Sequence, residues 1–391
     1  MQRVKFLHCG DIHLDAPLTG SGLGAEQAAL RRSELKETLG RIGQLAKAEQ
    51  VELLFISGDL WEQGYVRKQT VTAVNELLGC LSPVRVFIAP GNHDPFLQHS
   101  FYQTTAWADN IHIFRGGPSA VELPALDTVV YGYGYENYEV KVPVLRDLRA
   151  ANQQGINFLV AHCQVVSGGG ANSNYLPLDQ QTIPHLGMDY LALGHVHQAS
   201  KVIKSGDCQW AYPGSPEPLG FDELGVHGVI VGEITKIQGQ AQISTTWVTL
   251  QKRRYYDLRV DISGAGTPEE VVALIQERVK ETEAAKNRAE DFYRVTLTGF
   301  IDPDLVLVEQ ELALALADQF FQLRLANQSF PAYDLERLGK GLDLVGVYIR
   351  KMQALLALEV NWEQKDLNQE VVSKALAYGL DALLKGEVHR R

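Results

Sequence analysis

Five short apolar runs in this chain each end, in most cases across a glycine, in a side chain able to bind a metal ion. They are Cys9-Gly10-Asp11-Ile12-His13, Ser57-Gly58-Asp59, Pro90-Gly91-Asn92-His93-Asp94, Ala161-His162 and Leu193-Gly194-His195-Val196-His197. Ligands of α/β sheets bind beyond the carboxyl ends of strands, so if these runs are strands of such sheets their terminal side chains converge in one cleft. The glycines before Asp11, Asp59, Asn92 and His195 are expected to let the backbone turn sharply where each strand ends. Asp11 and His13, like His195 and His197, stand two apart, which places each pair on one face of an extended segment.

The order of elements agrees with that demand. Val4 to Cys9 reads as a strand, residues 25–49 as a helix, Leu53 to Ser57 as a strand, residues 66–81 as a helix and Val84 to Ala89 as a strand. A βαβαβ start of this kind implies a parallel sheet. Further strands read at Ile111 to Phe114, Thr128 to Tyr133, Phe158 to Val160 and Tyr190 to Leu193, and from Trp210 to Leu250 the pattern turns mostly β. The expected fold class is therefore α/β, a four-layer αββα core over residues 1–250 in which two packed sheets are flanked by helices. The charged stretch Gln251-Lys252-Arg253-Arg254 marks a boundary. Residues 251–333 then read as a small α/β cap, with one helix opened by Thr267-Pro268-Glu269-Glu270 and a second over Asp304 to Ala317. Residues 334–391 read as a terminal helical segment without strand signal.

Composition narrows the function classes. A net charge of -11 over 391 residues argues against a free-standing nucleic-acid binder, because phosphate contacts need a basic surface. Any polyanionic substrate would draw its positive charge from bound metals or a partner subunit. No apolar run approaches the ~20 residues that span a bilayer, so no membrane association is expected. The N-terminal apolar run is too short for a signal-peptide core, and a cytoplasmic location is the expectation. The four cysteines, Cys9, Cys80, Cys163 and Cys208, lie far apart and read as reduced thiols.

The ligand types at the strand ends are oxygen and imidazole without thiolate, which suits Mn²⁺, Fe or Zn²⁺ better than a structural cysteine-rich zinc site. Asp59 is the natural carboxylate to be shared between two ions. Two cations about 3.5–4 Å apart can supply a nucleophile and neutralise charge developing on a phosphoryl group, so phosphate ester hydrolysis is the matching reaction. A lone Asp-x-His or Gly-Asp is common by chance, and it is the joint occurrence of five such elements that carries the reading. His8, His99, His112, His185, His227 and His389 lack ligand context and read as structural or solvent-facing.

These residues resemble the calcineurin-like metallophosphoesterases, whose signature order is Asp-x-His, Gly-Asp, Gly-Asn-His-Asp/Glu, a lone His and Gly-His-x-His. The resemblance covers residues 1 to about 250. The stretch Tyr212-Pro213-Gly214-Ser215-Pro216-Glu217 and the C-terminal α/β cap narrow it to SbcD-type DNA repair exonucleases and their YhaO branch. The resemblance implies one metal on Asp11, His13, Asp59 and His197, and a second on Asp59, Asn92, His162 and His195, with Mn²⁺ as preferred ion. It implies that His93 is a non-ligand histidine that contacts the scissile phosphate and assists the leaving oxygen. Glu62, three after the bridging acid, either orients His93 and raises its pKa or is a solvent-facing glutamate at a helix start.

DNA as substrate, with exonuclease and also endonuclease action in repair, is likewise implied by the resemblance. So is a partner, an SbcC-like (YhaN-like) coiled-coil ABC ATPase docked through C-terminal helices; a homodimer is left open. The apolar stripes Leu342, Val345, Ile349, Met352, Leu356 and Leu367, Val371, Leu376, Leu380, Leu383 have the helical spacing such docking needs, but they could equally pack on each other. Ser167-Gly168-Gly169-Gly170 reads as a flexible turn at the cleft rim, and Arg253 and Arg254 as solvated linker charges or nucleic-acid contacts. Two rival functions stay open, a phosphatase or phosphodiesterase acting on a small molecule or protein, and a non-catalytic scaffold of the same fold.

Overall fold

In the computed structural model, which describes residues 2–18, 22–168, 173–282, 288–357 and 369–386, the first apolar run forms the strand Gln2–Cys9 in the middle of a six-stranded sheet. Leu53–Ile56, Arg85–Ile88 and Ile111–Ile113 follow it in parallel on one side. Gly228–Ile237 and Gln240–Thr249 lie antiparallel on the other. The four residues of Leu53–Ile56 are all buried, as expected for an apolar run covered on both faces. A second six-stranded sheet has Thr128–Gly134, Ile156–His162, Tyr190–Gly194 and Cys208–Ala211 in parallel, with antiparallel edges Gly116–Leu123 and Ile203–Ser205.

The two sheets pack face to face through an aromatic layer. Phe6 and Phe55 of the first sheet meet Phe158 of the second at ring distances of 5.3 and 4.9 Å, and Phe6 meets Tyr190 at 4.7 Å. All four are fully buried, each worth roughly 1.5–3 kcal/mol of transfer free energy on the usual area scale. The flanking layers differ. The helices Ala25–Ala48 and Lys68–Gly79 cover the first sheet with Leu35, Leu39, Ile42, Val71, Val74 and Leu78. The outer face of the second sheet is covered by the connections between its strands, through Leu145, Leu176, Leu178 and Leu186. Among the described residues, the helical structure in the connections between its strands consists of the 3-10 turns Pro124–Leu126 and Ile183–His185.

The chain divides into two compact units, Met1–Arg254 and Tyr255–Arg391. The boundary falls four residues later than expected, and a buried ion cluster explains why. Arg31 donates to Glu34 at 2.6 Å and to Glu217 at 2.9 Å, Arg253 reaches Glu34 at 2.7 Å, and Glu217 also accepts the backbone N–H of Lys252. Removing one member would leave a buried charge unpaired, so these residues hold the end of the unit in place. Arg253, 6% exposed, is therefore an internal ion-pair partner and no nucleic-acid contact.

In the second unit Tyr255–Asp261, Phe292–Thr298 and Gln322–Asn327 form a parallel three-stranded sheet. Thr267 caps the helix Pro268–Lys280 by accepting from the Glu270 backbone N–H, as its sequence suggests. The next helix is shorter than expected and spans Glu309–Leu316. The helices Leu335–Gly339, Leu344–Ala357 and Gln369–Lys385 close on one another. Ile349, Leu376 and Leu380 are buried, with Val345, Met352 and Leu356 packed against them. The first stripe is thus largely spent internally apart from Leu342, which is 96% exposed; of the second, Leu376 and Leu380 are buried, Val371 and Leu383 are exposed, and Leu367 lies outside the described residues. Among the described residues, no helix is long and apolar enough to cross a membrane.

Candidate metal centre

Every one of the five motifs sits at the carboxyl end of its strand, three on the first sheet and two on the second. The two sheets therefore face each other across the centre with complementary sets of donors. The turning of the chain is carried by the ligand-type residues themselves. Asp11, His13, Asp59 and His195 have φ of 52°, 51°, 50° and 99°, a region uncommon for residues with a Cβ and costing on the order of 1–3 kcal/mol each. Of the glycines expected to make these turns, Gly58 does so, at φ 89°. Gly10, Gly91 and Gly194 have another role: they let other groups come close. A Cβ at Gly10 would stand 2.6 Å from Ser57 Oγ, at Gly91 it would overlap the Asp59 carboxylate, and at Gly194 it would overlap the Ser57 carbonyl.

One half of the centre brings together Asp11, His13, Asp59 and His197, with one ligand atom from each lying within 4.8 Å of the others. His13 Nδ1 donates to Glu62 Oε1 at 2.8 Å, and His197 Nδ1 donates to Glu223 Oε1 at 2.8 Å. Both Nε2 atoms are then turned inward, 3.1 Å apart, with Asp59 Oδ2 3.7 Å from His13 and Asp11 Oδ1 3.8 Å from His197. In the other half His162 Nδ1 donates to the Ser57 carbonyl at 3.0 Å. Its Nε2 lies 3.2 Å from Asp59 Oδ2 and 2.9 Å from Asn92 Oδ1. His195 joins this side through its ring, 5.2 Å from that of His162 and 4.6 Å from that of Tyr175.

This donor set fits divalent cations. Inward-facing nitrogen lone pairs and carboxylate oxygens repel one another unless a proton or a metal lies between them. The protein's own charges show the same demand. Burial would depress His162, yet Asp59 raises its pKa to about 9, and Glu223 and Asp11 raise His197 to about 9 against burial. Burial likewise opposes ionisation of Asp59, but His162 and His13 hold it well below the usual carboxylate range. The charge that would draw protons onto these two buried imidazoles is charge that a divalent cation could balance in their place. Asp59 is the residue whose carboxylate reaches both sets.

His93 stands beside these donors rather than among them. Its backbone N–H donates to Asp59 Oδ1 at 2.9 Å, and its Nδ1 donates to Glu62 Oε2 at 3.0 Å, while its side chain is 45% exposed. The Glu62 hydrogen bond raises the His93 pKa. Burial favours the neutral form of Glu62, but hydrogen bonds from His13 and His93 bring it down to about 2. Glu62 is thus engaged by both histidines and is not a freely solvated glutamate.

Three supporting residues escaped the sequence reading. Asp94, fully buried, accepts the backbone N–H groups of Asp59, Leu60 and Gly91 and the Tyr102 hydroxyl, so it ties two ligand loops together. Its place inside Gly-Asn-His-Asp was the available signal. Glu223 and Tyr175 carry no motif, and nothing short of the fold brings them to His197 and His195. His8 and His227, read as structural, are both buried; His99, His112 and His185 make no contact with the centre, and His389, Gly169 and Gly170 lie outside the described residues.

A family model for calcineurin-like phosphoesterases matches residues 4–199, half of the chain, and the chain belongs to that family. It is 24% identical over 247 residues to the uncharacterized metallophosphoesterase YhaO of Bacillus subtilis, an alignment covering 59% of this chain and 58% of that protein's length. Similar solved structures include a dimetal phosphatase from Danio rerio, at 13% identity over 63% of this chain and all of that one, with a TM-score of 0.38. Another is the phosphoesterase Yfce from E. coli, at 15% identity over 63% of this chain and all of that one, with a TM-score of 0.30. Membership of the calcineurin-like phosphoesterase family rests on the family match, and the donor set described above is the chain's candidate metal-binding site.

Proposed function

We propose that this metallophosphoesterase hydrolyses phosphodiesters in DNA, as a cytoplasmic exonuclease with Mn²⁺ as its preferred ion. The observation that carries hydrolysis is the convergence of two donor sets on the single carboxylate of Asp59. Two divalent ions held there would supply Lewis acidity and an activated water to a phosphoryl group. The chain's own residues do the rest. His93, anchored through Nδ1 on Glu62, keeps Nε2 for the substrate and holds a proton for the leaving oxygen. Glu62, shared by His13 and His93, keeps ligand and acid in fixed relation.

The choice of DNA rests on the Tyr212–Glu217 stretch and the C-terminal α/β unit, while the net charge of -11 favours the rival reading of a small phosphoester. Turnover of a nitrophenyl phosphodiester, a nitrophenyl monoester and linear duplex DNA, each with Mn²⁺, separates the two. Degradation of DNA from its ends together with diester turnover is expected. Turnover of the monoester alone would overturn the nuclease reading, and a protein that binds no metal and turns over nothing would be a scaffold.

The positive surface that DNA needs is proposed to come from a coiled-coil ABC ATPase docked on the C-terminal helices. The apolar side chains that these helices leave exposed include Leu342, Leu344, Val347, Leu355, Val371, Leu383 and Leu384, with Leu342 and Leu344 the most exposed. Leu342→Asp together with Leu344→Asp is expected to abolish co-purification with such an ATPase and leave nitrophenyl diester turnover intact. Unchanged co-purification would remove the docking claim.

A further inference from the structure

The segment that follows the last ligand folds back onto it. Gly214, at φ 76°, makes the turn, and a Cβ there would stand 2.7 Å from the His197 carbonyl. The Ser215 backbone N–H donates to that same carbonyl at 2.9 Å. From there the chain runs to Glu223, whose side chain is 7% exposed and returns to the centre. Glu223 Oε1 accepts from His197 Nδ1 at 2.8 Å. Its Oε2 accepts from Ser215 Oγ at 2.6 Å and from the Leu219 backbone N–H at 3.3 Å. His227 closes the ring, with Nδ1 2.8 Å from the Ser215 carbonyl and Nε2 3.1 Å from the Glu223 carbonyl.

A buried carboxylate held by two donors and aimed at the outer nitrogen of an imidazole fixes that ring's tautomer and orientation. The imidazole then presents its other nitrogen, as a lone pair, to a metal. The same device stands on the other side of the pair, where Glu62 holds His13. We infer that Glu223 is a positioning residue for the metal centre: it locks His197 with Nε2 inward, and Ser215 and His227 hold Glu223 in that task. This gives the Ser215 position of the Tyr212–Glu217 stretch a physical purpose. Glu223 lies beyond residues 4–199, where the family model matches. The inference rests on the two-metal reading above.

The test uses the full chain stripped of metal, with Glu223→Gln and Ser215→Ala beside the unmodified protein. Mn²⁺ is titrated calorimetrically, and the ¹⁵N shifts of the histidine rings report their tautomers. Glu223→Gln keeps the shape and loses the charge. It is expected to weaken one of two ions by about 10–100-fold, the range seen when such supporting carboxylates are lost, and to leave the other ion in place. One histidine ring should lose its fixed tautomer. Two ions bound with unmodified affinity would overturn the role of Glu223 while leaving the metal site standing. No divalent ion bound by the unmodified protein would overturn the metal reading and this inference with it. Should Glu223→Gln fail to fold, Ser215→Ala carries the test: a smaller loss at one ion supports the role, and unchanged affinity at both overturns it.

Discussion

The two halves of the centre are built on unequal charge. Around the inward nitrogens of His13 and His197 stand Asp11 and Asp59, and behind them Glu62 and Glu223, so both imidazoles are backed by carboxylates. Around His162 stand Asp59 and the neutral Asn92, and behind it the neutral Ser57 carbonyl at 3.0 Å, with Asp11 Oδ1 farther off at 3.9 Å from the same Nδ1. His195 has no hydrogen-bond partner for its ring among the described residues and leans on Tyr175. Burial and the neighbouring His162 lower the His195 pKa to about 4, so this ring stays neutral where His162 and His197 attract protons. The first half therefore gathers more negative charge around its imidazoles, which favours tighter binding of a dication there, while the second leans mainly on Asp59, which faces both halves.

Removing that shared acid breaks the comparison altogether. Asp59→Asn is expected to abolish turnover and to reduce metal content in both halves, read as metal per chain by mass spectrometry. A variant retaining two ions and full turnover would show that Asp59 bridges nothing. The next largest effect is expected at His93, proposed above as an acid rather than a ligand. His93→Gln should keep two ions and lose about 10²–10⁴-fold in turnover, the usual contribution of general acid work. Loss of a metal ion from that variant would make His93 a ligand instead. Glu62→Gln should cost less and lower the pKa of His93. Because His93 acts while protonated, the alkaline limb of the pH profile then moves to lower pH; an unmoved limb would remove Glu62 from that role.

That these donor side chains converge was legible in the sequence because each is announced by its neighbours. Gly10, Gly58, Gly91 and Gly194 are required where one strand end crowds against another, Gly10 and Gly194 against Ser57, Gly58 against His162 and Gly91 against Asp59. What supports the ligands was not legible. Glu223 reaches His197 across 26 positions, and in sequence it looks like any glutamate of an acidic chain. Arg253 looked like a linker charge because its partners Glu34 and Glu217 are far away along the chain. The apolar stripes of the last helices were legible only in part, since Leu342 precedes its helix and Val371 and Leu383 are exposed. Periodicity reports that a face is buried, not what buries it, and here Ile349 finds Leu376 and Leu380.

The unequal charge also predicts an order of metal loss. Dialysis of the loaded protein against a weak chelator should remove one ion well before the other. His195→Asn should leave the tightly held ion in place, whereas His13→Asn should lose it. Equal affinities, or a tight ion that survives in His13→Asn and not in His195→Asn, would reverse the comparison.

The smallest expected effect lies beneath the weaker half, where His8 joins the two sheets. Its Nε2 is 3.2 Å from the Leu193 carbonyl and from Ser57 Oγ, and its Nδ1 is 3.1 Å from the Tyr190 hydroxyl. Ser57 is also the residue whose carbonyl orients His162, so His8 helps to hold the floor on which that half rests. Burial lowers the His8 pKa from its ordinary 6.5 to about 3. The folded protein thus keeps this ring neutral at pH values where the unfolded chain protonates it. Above pH 6.5 neither state binds the proton and the term vanishes. As pH falls from 6.5 toward 3 the unfolded state gains it alone, and stability falls by up to ~1.4 kcal/mol per pH unit for one proton. Denaturant unfolding of the metal-free protein between pH 6.5 and 4 should therefore show a shallower loss of stability in His8→Asn than in the unmodified chain, whatever offset the substitution adds at neutral pH. Parallel slopes in the two proteins would mean that His8 takes up its proton in the folded state, and that the seam beneath His162 accommodates a charge.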